Sequence, residues 1–245
     1  MLPSQVEAYL TGGYGQVRGM SSGFAARVVA HLMAAQAAAG IVGGAAEIGT
    51  FEGRFFIAMG LSLAPGERIF GADSFDWPDD GVEARLRANM AKQGLAAAIA
   101  TIWRGDSARL TAADILGPLG APARIIHIDG DHTDAALTAD LALAVQVVRP
   151  EGLIVLDDML HPIYPMLVLT VQRFLQTQPE WQVACVIDRE SLSGAAKFIL
   201  ARREKAAEVA EWLRERLPAS FVAVMAQFPG YEAPIVAPAP GLPNF

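Results

Sequence analysis

The sequence has little cysteine and no excess of positive charge, and each shortage excludes a class of protein. Its single cysteine, Cys185, cannot form an internal disulfide or a thiolate metal site, and this cysteine usage favours a cytoplasmic location. The 19 Lys and Arg residues are outnumbered by 26 Asp and Glu residues, which gives a formal net charge of −7. Nucleic acids and anionic membranes bind basic surfaces, so neither is an expected partner.

The sequence also lacks a long, uninterrupted hydrophobic run. The most apolar early stretch, residues 28–49, is broken by His31, Gln36 and several glycines. That pattern fits a helix followed by a strand better than a membrane span. The first ten residues, MLPSQVEAYL, do not have the basic-then-apolar layout of a signal peptide. We therefore expect a soluble protein.

What the sequence does contain is a regular alternation of short apolar runs and helical patterns. Residues 23–38 have the pattern of a helix, which the following glycines end. Apolar runs and helical patterns then alternate, which predicts βαβ units and a parallel sheet. The predicted strands are 45–49, 68–73, 100–106, 124–129 and 152–158, and the predicted helices between them are 52–63, 80–94, 108–117 and 134–148.

The last third of the chain predicts a different strand pairing. A helix near 163–178 precedes strand candidates at 181–188 and 196–202, and the short connection between these strands allows an antiparallel pair. The predicted fold is one α/β domain, with a doubly wound, mostly parallel seven-stranded sheet and an antiparallel final strand pair. Its predicted parts are an N-terminal helical cap or lid (1–39), a core (40–203), and a C-terminal helix with a proline-rich tail (204–245).

A glycine-rich stretch, EIGTFEG, follows the first predicted strand and supplies Glu47, Gly49 and Gly53. Glycines there let the backbone turn sharply into a helix and approach a ligand closely. The dinucleotide fingerprint requires a glycine where Phe51 stands, so a nicotinamide cofactor is not favoured. Asp73 ends the second strand, where a carboxylate can accept hydrogen bonds from a ribose diol.

Acidic residues also end the later strands. Asp106 and Ser107 follow the third strand, although such a pair commonly begins a helix. Asp129 ends the next apolar run, and Asp157 and Asp158 end the one after it, so adjacent parallel strands would bring three carboxylates to one edge. A dry, fully ionised cluster is unstable, so we expect a cation, shared protons or water. Oxygen ligands suit Mg²⁺ or Mn²⁺.

Two histidines accompany these acids. His132 lies near a predicted helix start, where the helix dipole disfavours a charged ring, and a neutral imidazole there can accept a proton. His127, inside a strand, is expected to be a hydrogen-bonded core residue. Asp140, in the middle of a predicted helix, is expected to be a solvated or structural acid.

Two stretches resemble a known family. AEIGTFEG is similar to the first motif of class I S-adenosylmethionine-dependent methyltransferases, in which the acid lies near the methionine ammonium and the glycines pass under the cofactor. HIDGDHTDAALTADL and VVRPEGLIVLDDM together resemble the metal-dependent small-molecule O-methyltransferases, especially the branch that acts on sugar hydroxyls in natural-product pathways. The resemblance covers roughly residues 45–200. Glu151 departs from it, because a glycine is usual at that position.

The resemblance implies roles for individual residues and a Rossmann-like methyltransferase fold. It makes His132 the general base. It implies cofactor binding by Glu47, Gly49, Gly53, Asp73, Asp106, Ser107 and Asp129, and metal binding by Asp129, Asp157 and Asp158.

The predicted function is S-adenosylmethionine-dependent O-methylation of a hydroxylated small molecule, with a sugar or polyol as the expected acceptor and Mg²⁺ or Mn²⁺ assisting deprotonation. Three alternatives stay open: a metal-independent methyltransferase, a metal-dependent hydrolase, and a protein that binds the cofactor without chemistry. Tyr14, Gln16 and Arg18 are candidates for a lid over the acceptor. The length and the tail suggest a homo-oligomer.

Overall fold

The computed structural model describes residues 1–191 and 194–238. Its main feature is an eight-stranded sheet in the order β10-β6-β7-β5-β4-β1-β2-β3, and strands β8 and β9 form a separate antiparallel pair. The strands are β1 Ala45–Ile48, β2 Ile69–Asp73, β3 Ala100–Arg104, β4 Ala123–Ile128, β5 Val148–Met159, β6 Trp181–Ile187, β7 Ala196–Arg202, β8 Ala226–Phe228, β9 Tyr231–Ala233 and β10 Ile235–Val236.

The strand directions confirm the predicted fold class. Strand β1 pairs in parallel with β2 and β4, and the parallel run extends outward to β3 on one side and β5 on the other. Strand β7 is antiparallel to both β5 and β6, as the short connection between the last two predicted strands suggested. The carboxyl ends of five parallel strands therefore meet at one edge of the sheet.

The predicted strand number, seven, is one too low. Residues Ile235–Val236 of the C-terminal segment pair in parallel with β6 and become the eighth strand. A two-residue strand between prolines is too short to show any alternation in sequence, which is why the prediction missed it. Residues 239–245 of the predicted tail lie outside the described part of the chain.

Eight α-helices are described, and all seven predicted helices are found with shifts of a few residues. They are α1 Ser4–Ala8, α2 Gly23–Ala38, α3 Arg54–Leu61, α4 Val82–Lys92, α5 Ala112–Leu119, α6 Asp134–Val147, α7 Met166–Thr177 and α8 Ala206–Arg216. Apolar cores cover both faces of the sheet, one containing α2, α3 and α8 side chains and the other α5, α6 and α7 side chains. No helix in the described ranges is long and apolar enough to cross a membrane.

The N-terminal segment before α2 packs against the glycine turn that follows β1. Helix α1 continues into a wider turn at Tyr9–Gly13 and a tighter one at Tyr14–Gln16. Tyr14 is buried, and the Arg54 guanidinium lies 4.5 Å from the centre of its ring. Arg18 lies over the Phe51 ring at 5.4 Å, so of the three candidate lid residues it is the one that contacts this turn. Residues 1–22 therefore lie beside the edge where the parallel strands end.

Candidate functional site

The turn between β1 and α3 requires glycine at both predicted positions. Gly49 has φ +87°, and a Cβ there would lie 1.8 Å from the Asp129 carbonyl oxygen. Gly53 has φ +89° and begins α3, and its Cβ would lie 2.3 Å from a methyl group of Leu86. The chain thus passes close to the end of β4, in a conformation that side chains resist. Beside the turn, Thr50 Oγ1 is buried and has no hydrogen-bond partner among the described residues.

Asp73 holds the turn from the neighbouring strand. Its Oδ2 accepts a hydrogen bond from the Phe51 amide at 2.7 Å, and its Oδ1 accepts one from the Phe75 amide at 2.8 Å. Each carboxylate oxygen retains a second lone pair, so these bonds leave room for further donors. The structure therefore places Asp73 next to Gly49 and Gly53, and its contact with a ribose stays a prediction.

Asp106 and Ser107 begin a short turn of 3₁₀ helix at Ser107–Arg109, after β3. The Asp106 carboxylate accepts a hydrogen bond from the Ala108 amide at 2.9 Å, which is the helix-start role that the sequence left open. Ser107 is half-buried, whereas Asp106 is exposed. Their contact with an adenine stays a prediction.

Beneath the edge, a chain of buried charged and polar groups links three strands. Glu47 of β1, His127 of β4 and Lys197 of β7 are each no more than 1% exposed. His127 Nδ1 is 2.6 Å from Glu47 Oε1, and His127 Nε2 is 3.3 Å from Lys197 Nζ. Because the lysine can only donate, His127 carries its proton on Nδ1 and donates it to Glu47. The Lys197 ammonium also forms an ion pair with Asp157 of β5.

The pKa values of these buried side chains follow from their burial and from the charge of the Lys197 ammonium. Burial raises the pKa of Glu47 well above its ordinary value. Burial, together with the charge of Lys197, lowers the pKa of His127 well below its ordinary value, so the ring is neutral. Burial alone would raise the pKa of Asp157, but the Lys197 charge outweighs it and the pKa of Asp157 is lowered. His127 is therefore the hydrogen-bonded core residue that was expected, and it also joins the site's charges.

At the mouth of the edge lies a second pair of groups, His132 and Asp158. His132 Nε2 is 2.5 Å from Asp158 Oδ2 and 4.0 Å from Asp129 Oδ1. The Tyr164 ring stacks on the imidazole with centroids 4.2 Å apart. Asp158 has φ +56° and lies in a local bend, at an irregularity in the pairing of β5 with β7.

The pKa values of two groups at this edge, His132 and Asp129, are raised. The hydrogen bond to Asp158 raises the pKa of His132, which opposes the lowering that the helix dipole was expected to cause. Burial raises the pKa of Asp129 well above its ordinary value, and the neighbouring Asp157 charge adds to the increase.

The three predicted metal ligands all lie at this edge, but they fall into two overlapping groups. Among the described residues, ligand atoms within 4.8 Å of one another belong to His127, Asp129 and Asp157, or to Asp129, His132 and Asp158. Asp129 is shared by both groups. The structure thus brings Asp129, Asp157 and Asp158 into one neighbourhood with a histidine beside each pair.

Three contributors to the site were missed by sequence reasoning. Lys197 had a visible signal, because it is a charged residue inside the otherwise apolar run AKFILAR. Tyr164 follows the acidic pair within the stretch that resembles the family, but nothing in the sequence indicated its stacking. Ser21, whose hydroxyl donates to Asp157 Oδ2 at 3.1 Å, comes from a segment 136 residues away and gave no signal.

The chain was compared with known proteins. Residues 46–159 match the family model described as "Methyltransferase domain". No curated protein sequence matches the chain.

Similar solved structures include the O-methyltransferase TomG from Streptomyces achromogenes, involved in tomaymycin synthesis and solved with SAM. It is 19% identical, with a TM-score of 0.57 over 82% of this chain and 91% of that chain. An O-methyltransferase from Bacillus cereus in complex with SAH is 16% identical, with a TM-score of 0.58 over 83% and 92% of the chains. CalS11, a TDP-rhamnose 3′-O-methyltransferase of calicheamicin biosynthesis, is 13% identical, with a TM-score of 0.54 over 82% and 87%.

At these identities the solved structures establish the fold, and the family model matches a part of the chain. The family match ends at Met159, the last residue of β5, and so includes the glycine turn, Asp73, Asp129, Asp157 and Asp158. The chain therefore has the fold of the compared O-methyltransferases, and the match of residues 46–159 to a methyltransferase domain confirms the resemblance seen in the sequence.

Proposed function

We propose that the protein is an S-adenosylmethionine-dependent O-methyltransferase that acts on a hydroxyl group of a small molecule. The observation that carries the proposal is the meeting, at one sheet edge, of the tight turn at Gly49, with a Thr50 hydroxyl that is unpaired among the described residues, and a histidine–carboxylate pair, His132 and Asp158. The first feature suits a bound cofactor and the second suits removal of a proton. Two of the similar structures were solved with SAM or SAH, which supports the same cofactor here.

The residues at the glycine turn fit this cofactor. A Cβ at Gly49 would collide with the Asp129 carbonyl, so glycine at this position lets the turn pack directly against the end of β4. Glu47 Oε2 and Thr50 Oγ1 are buried and lack partners among the described residues, so they can bind polar groups of the methionine part. Asp73 would bind the ribose and Asp106 and Ser107 the adenine, with Gly53 and Asp129 completing the predicted set.

The bound cofactor supplies an activated methyl group on a sulfonium, so the chain's own residues need only align the acceptor and remove its proton. His132 is the proposed general base. Asp158 fixes the imidazole through Nε2, and the Tyr164 ring covers one of its faces, so the ring presents its remaining nitrogen in a fixed direction. Asp158 also stabilises the imidazolium that forms once the proton is transferred.

A divalent cation on Asp129, Asp157 and Asp158 stays a prediction, and the donor set fits it only in part. Asp129 and Asp158, with His132, offer oxygen and nitrogen ligands within 4.8 Å of one another. Asp157 is already bound by the Lys197 ammonium and by the Ser21 hydroxyl. That observation favours the second candidate function, a methyltransferase in which His132 and Asp158 remove the proton without a metal.

For the acceptor, we propose a hydroxylated small molecule of the sugar or polyol type. The resemblance of the sequence to sugar O-methyltransferases and the fold shared with a TDP-rhamnose 3′-O-methyltransferase both support this class. A homo-oligomer in the cytoplasm is the corresponding proposal for assembly and location. A metal-dependent hydrolase would leave the geometry of Gly49 and Asp73 without a purpose.

The test is calorimetric titration of S-adenosylhomocysteine into the purified protein, once with Mg²⁺ and once with EDTA. We expect micromolar binding under both conditions, because Asp129 is the one predicted cofactor contact that is also a predicted metal ligand. The wild-type protein is then offered hydroxylated acceptors with S-adenosylmethionine. Absence of binding in both titrations would overturn the proposed function.

A further inference from the structure

The buried ammonium of Lys197 contacts Asp157, which is one of the three predicted metal ligands. Lys197 is the second residue of β7, and its side chain is 1% exposed. Its Nζ forms an ion pair with Asp157, lies 3.3 Å from His127 Nε2, and lies 5.0 Å from the centre of the Phe55 ring. A buried charged group is stable only where it is paired, so this ion pair is part of the folded structure.

The acceptor sites of Asp157 are largely occupied. Its Oδ1 accepts a hydrogen bond from the Asp158 amide at 2.8 Å, and its Oδ2 binds both the Lys197 ammonium and the Ser21 hydroxyl. His127 Nε2 lies 3.7 Å from the same Oδ2 and closes another side. A Mg²⁺ ion requires near-octahedral ligands at about 2.0–2.1 Å, and here it would have to displace these donors.

The charges lead to the same conclusion. A divalent ion bound to Asp157 would lie within a few ångströms of a fixed ammonium in a poorly hydrated place, where like charges repel strongly. The ammonium also already provides what three crowded carboxylates need, a positive charge between strands β5 and β7. The predicted ligand set therefore does not fit a metal at Asp157.

We propose that Lys197 is the built-in cation of this edge: its ammonium takes the place at Asp157 that a divalent metal would require, so the site works without a metal. Lys197 is then a positioning residue, which holds Asp157 and, through it, the Ser21 segment and the Asp158 amide. The part of the proposal that concerns catalysis rests on the proposed methyltransferase function. The part that concerns metal exclusion does not.

The experiment measures Mn²⁺ binding by the loss of the free-ion EPR signal in the full-length wild-type protein and in Lys197→Met. We expect wild type to bind Mn²⁺ no more tightly than a Kd of about 1 mM. Lys197→Met leaves Asp157 without its counter-ion, so its Mn²⁺ affinity should rise by roughly tenfold or more. Lys197→Arg retains the charge and should bind as weakly as wild type. Lys205→Met removes an equal charge at a partly exposed lysine paired with Glu208 and serves as the matched control.

Each outcome decides the proposal. Micromolar Mn²⁺ binding by wild type, or an unchanged Mn²⁺ affinity in Lys197→Met, would overturn it. If Lys197→Met does not fold, the double variant Lys197→Met/Asp157→Asn removes both charges of the pair and should fold again; failure of that rescue would also overturn it. These readouts use only the metal and the protein, so they are distinguishable from failure of the cofactor titration, which tests the proposed function.

Discussion

The two ends of strand β4 each carry a buried charged network, but only one of them is complete. At the start of the strand, Arg124 is fully buried and its guanidinium donates to six acceptor atoms. It binds Glu67 Oε1 and Oε2 at 2.8 and 2.7 Å, the Met33 carbonyl at 2.8 Å, Gly43 O and Gln36 Oε1 at 3.1 Å each, and the Ser62 carbonyl at 3.5 Å. One cation faces one carboxylate, and the remaining donors meet neutral oxygens.

At the other end of β4, the acids outnumber the cations. Within residues 1–191 and 194–238, Lys197 is the one ammonium in direct contact with Asp157, whereas Glu47, Asp129 and Asp158 lie close by. Glu47 Oε2 has no partner among the described residues, and burial raises the pKa values of both Glu47 and Asp129. This network holds a neutral histidine, two carboxyl groups whose pKa values are raised, and an acceptor atom that is unpaired within the described ranges.

The comparison separates structural from functional burial of charge. A network whose groups are all paired can only hold elements together, because binding anything else would break a bond already made. A network with unpaired acceptors and raised pKa values is costly to the fold, and that cost is typical of sites that bind or react.

Replacing Arg124 with Met should cause the largest loss of stability. It leaves Glu67 buried, 9% exposed, without its counter-ion, so the free energy of unfolding should fall by about 3–5 kcal/mol. Urea unfolding followed by circular dichroism measures this loss. Arg68→Met changes an exposed arginine whose guanidinium makes a long, 3.4 Å hydrogen bond to the Pro118 carbonyl, and it should shift stability by less than about 0.5 kcal/mol.

The comparison also requires that the Arg124 network be separate from ligand binding. At a urea concentration where Arg124→Met is still folded, its affinity for S-adenosylhomocysteine should equal that of wild type. A stability change under about 1 kcal/mol, or a large loss of affinity in the folded variant, would show that the complete network is not merely structural.

The sequence predicted where the network at the carboxyl end of β4 lies, but not which of its side chains contact one another. Each strand of a parallel sheet ends at the same edge, so a residue such as Asp73 or Asp129 can be placed there from the end of an apolar run alone. The glycines at 49 and 53 were placed by the same reasoning, because a sharp strand–helix turn leaves few other residue types. The confirmed helices and strands follow from the same periodicity.

What the sequence could not reveal depends on contacts between distant segments. Lys197 reaches Asp157 only because β7 is antiparallel to β5 in one particular register, which a local pattern does not specify. The raised pKa of His132 depends on a bend at Asp158, and the eighth strand depends on two residues that find β6. Each is a product of tertiary packing.

The second prediction concerns His132, the half-exposed partner of Asp158 near the carboxyl end of β4. His132→Ala removes the proposed general base, so kcat with an acceptor found by screening should fall at least about a hundredfold. Its affinity for S-adenosylhomocysteine should stay within about twofold of wild type, because the ring lies outside the predicted cofactor contacts. Steady-state kinetics and calorimetry measure the two quantities.

His161 is the matched control for this variant. It also stacks on Tyr164, with centroids 5.1 Å apart, but its Nδ1 accepts only the Ile163 amide, at 3.2 Å. His161→Ala should therefore leave kcat within a few-fold of wild type. Equal losses in the two variants would indicate that the aromatic stack matters and that His132 is not the base.

The smallest expected effect concerns Asp140, a buried acid of α6 beside the open end. It is 1% exposed, and neither carboxylate oxygen is hydrogen bonded within the described residues. Burial, with the charges of Asp106 and Asp131, raises its pKa to about 6, although nearby Ser107 opposes the shift. Asp140 was expected to be a structural or solvated acid, and the structure shows that it is buried. Because its carboxylate is buried without a hydrogen-bond partner among the described residues, its ionised form should lower the stability of the fold.

The direction of the pH dependence of stability follows from the number of protons bound in the folded and unfolded states. Between the ordinary pKa of 3.8 and a folded-state pKa of about 6, the folded protein binds more protons than the unfolded chain, so stability falls as the pH rises through this window. Above it, the ionised Asp140 costs up to about 3 kcal/mol. Asp140→Asn removes that charge and should raise the melting temperature at pH 7.5, with the gain disappearing near pH 4.

Thermal melts of wild type and Asp140→Asn at both pH values test this, with Glu215→Gln as an exposed control on α8. The asparagine amide is also unpaired at first, so the measured gain should be smaller than the full charge cost. A gain that persists at pH 4 would mean that packing, and not charge, is responsible. A loss at pH 7.5 would mean that Asp140 has a partner when the protein is in solution, and that this part of the edge is complete in the way that the Arg124 network is.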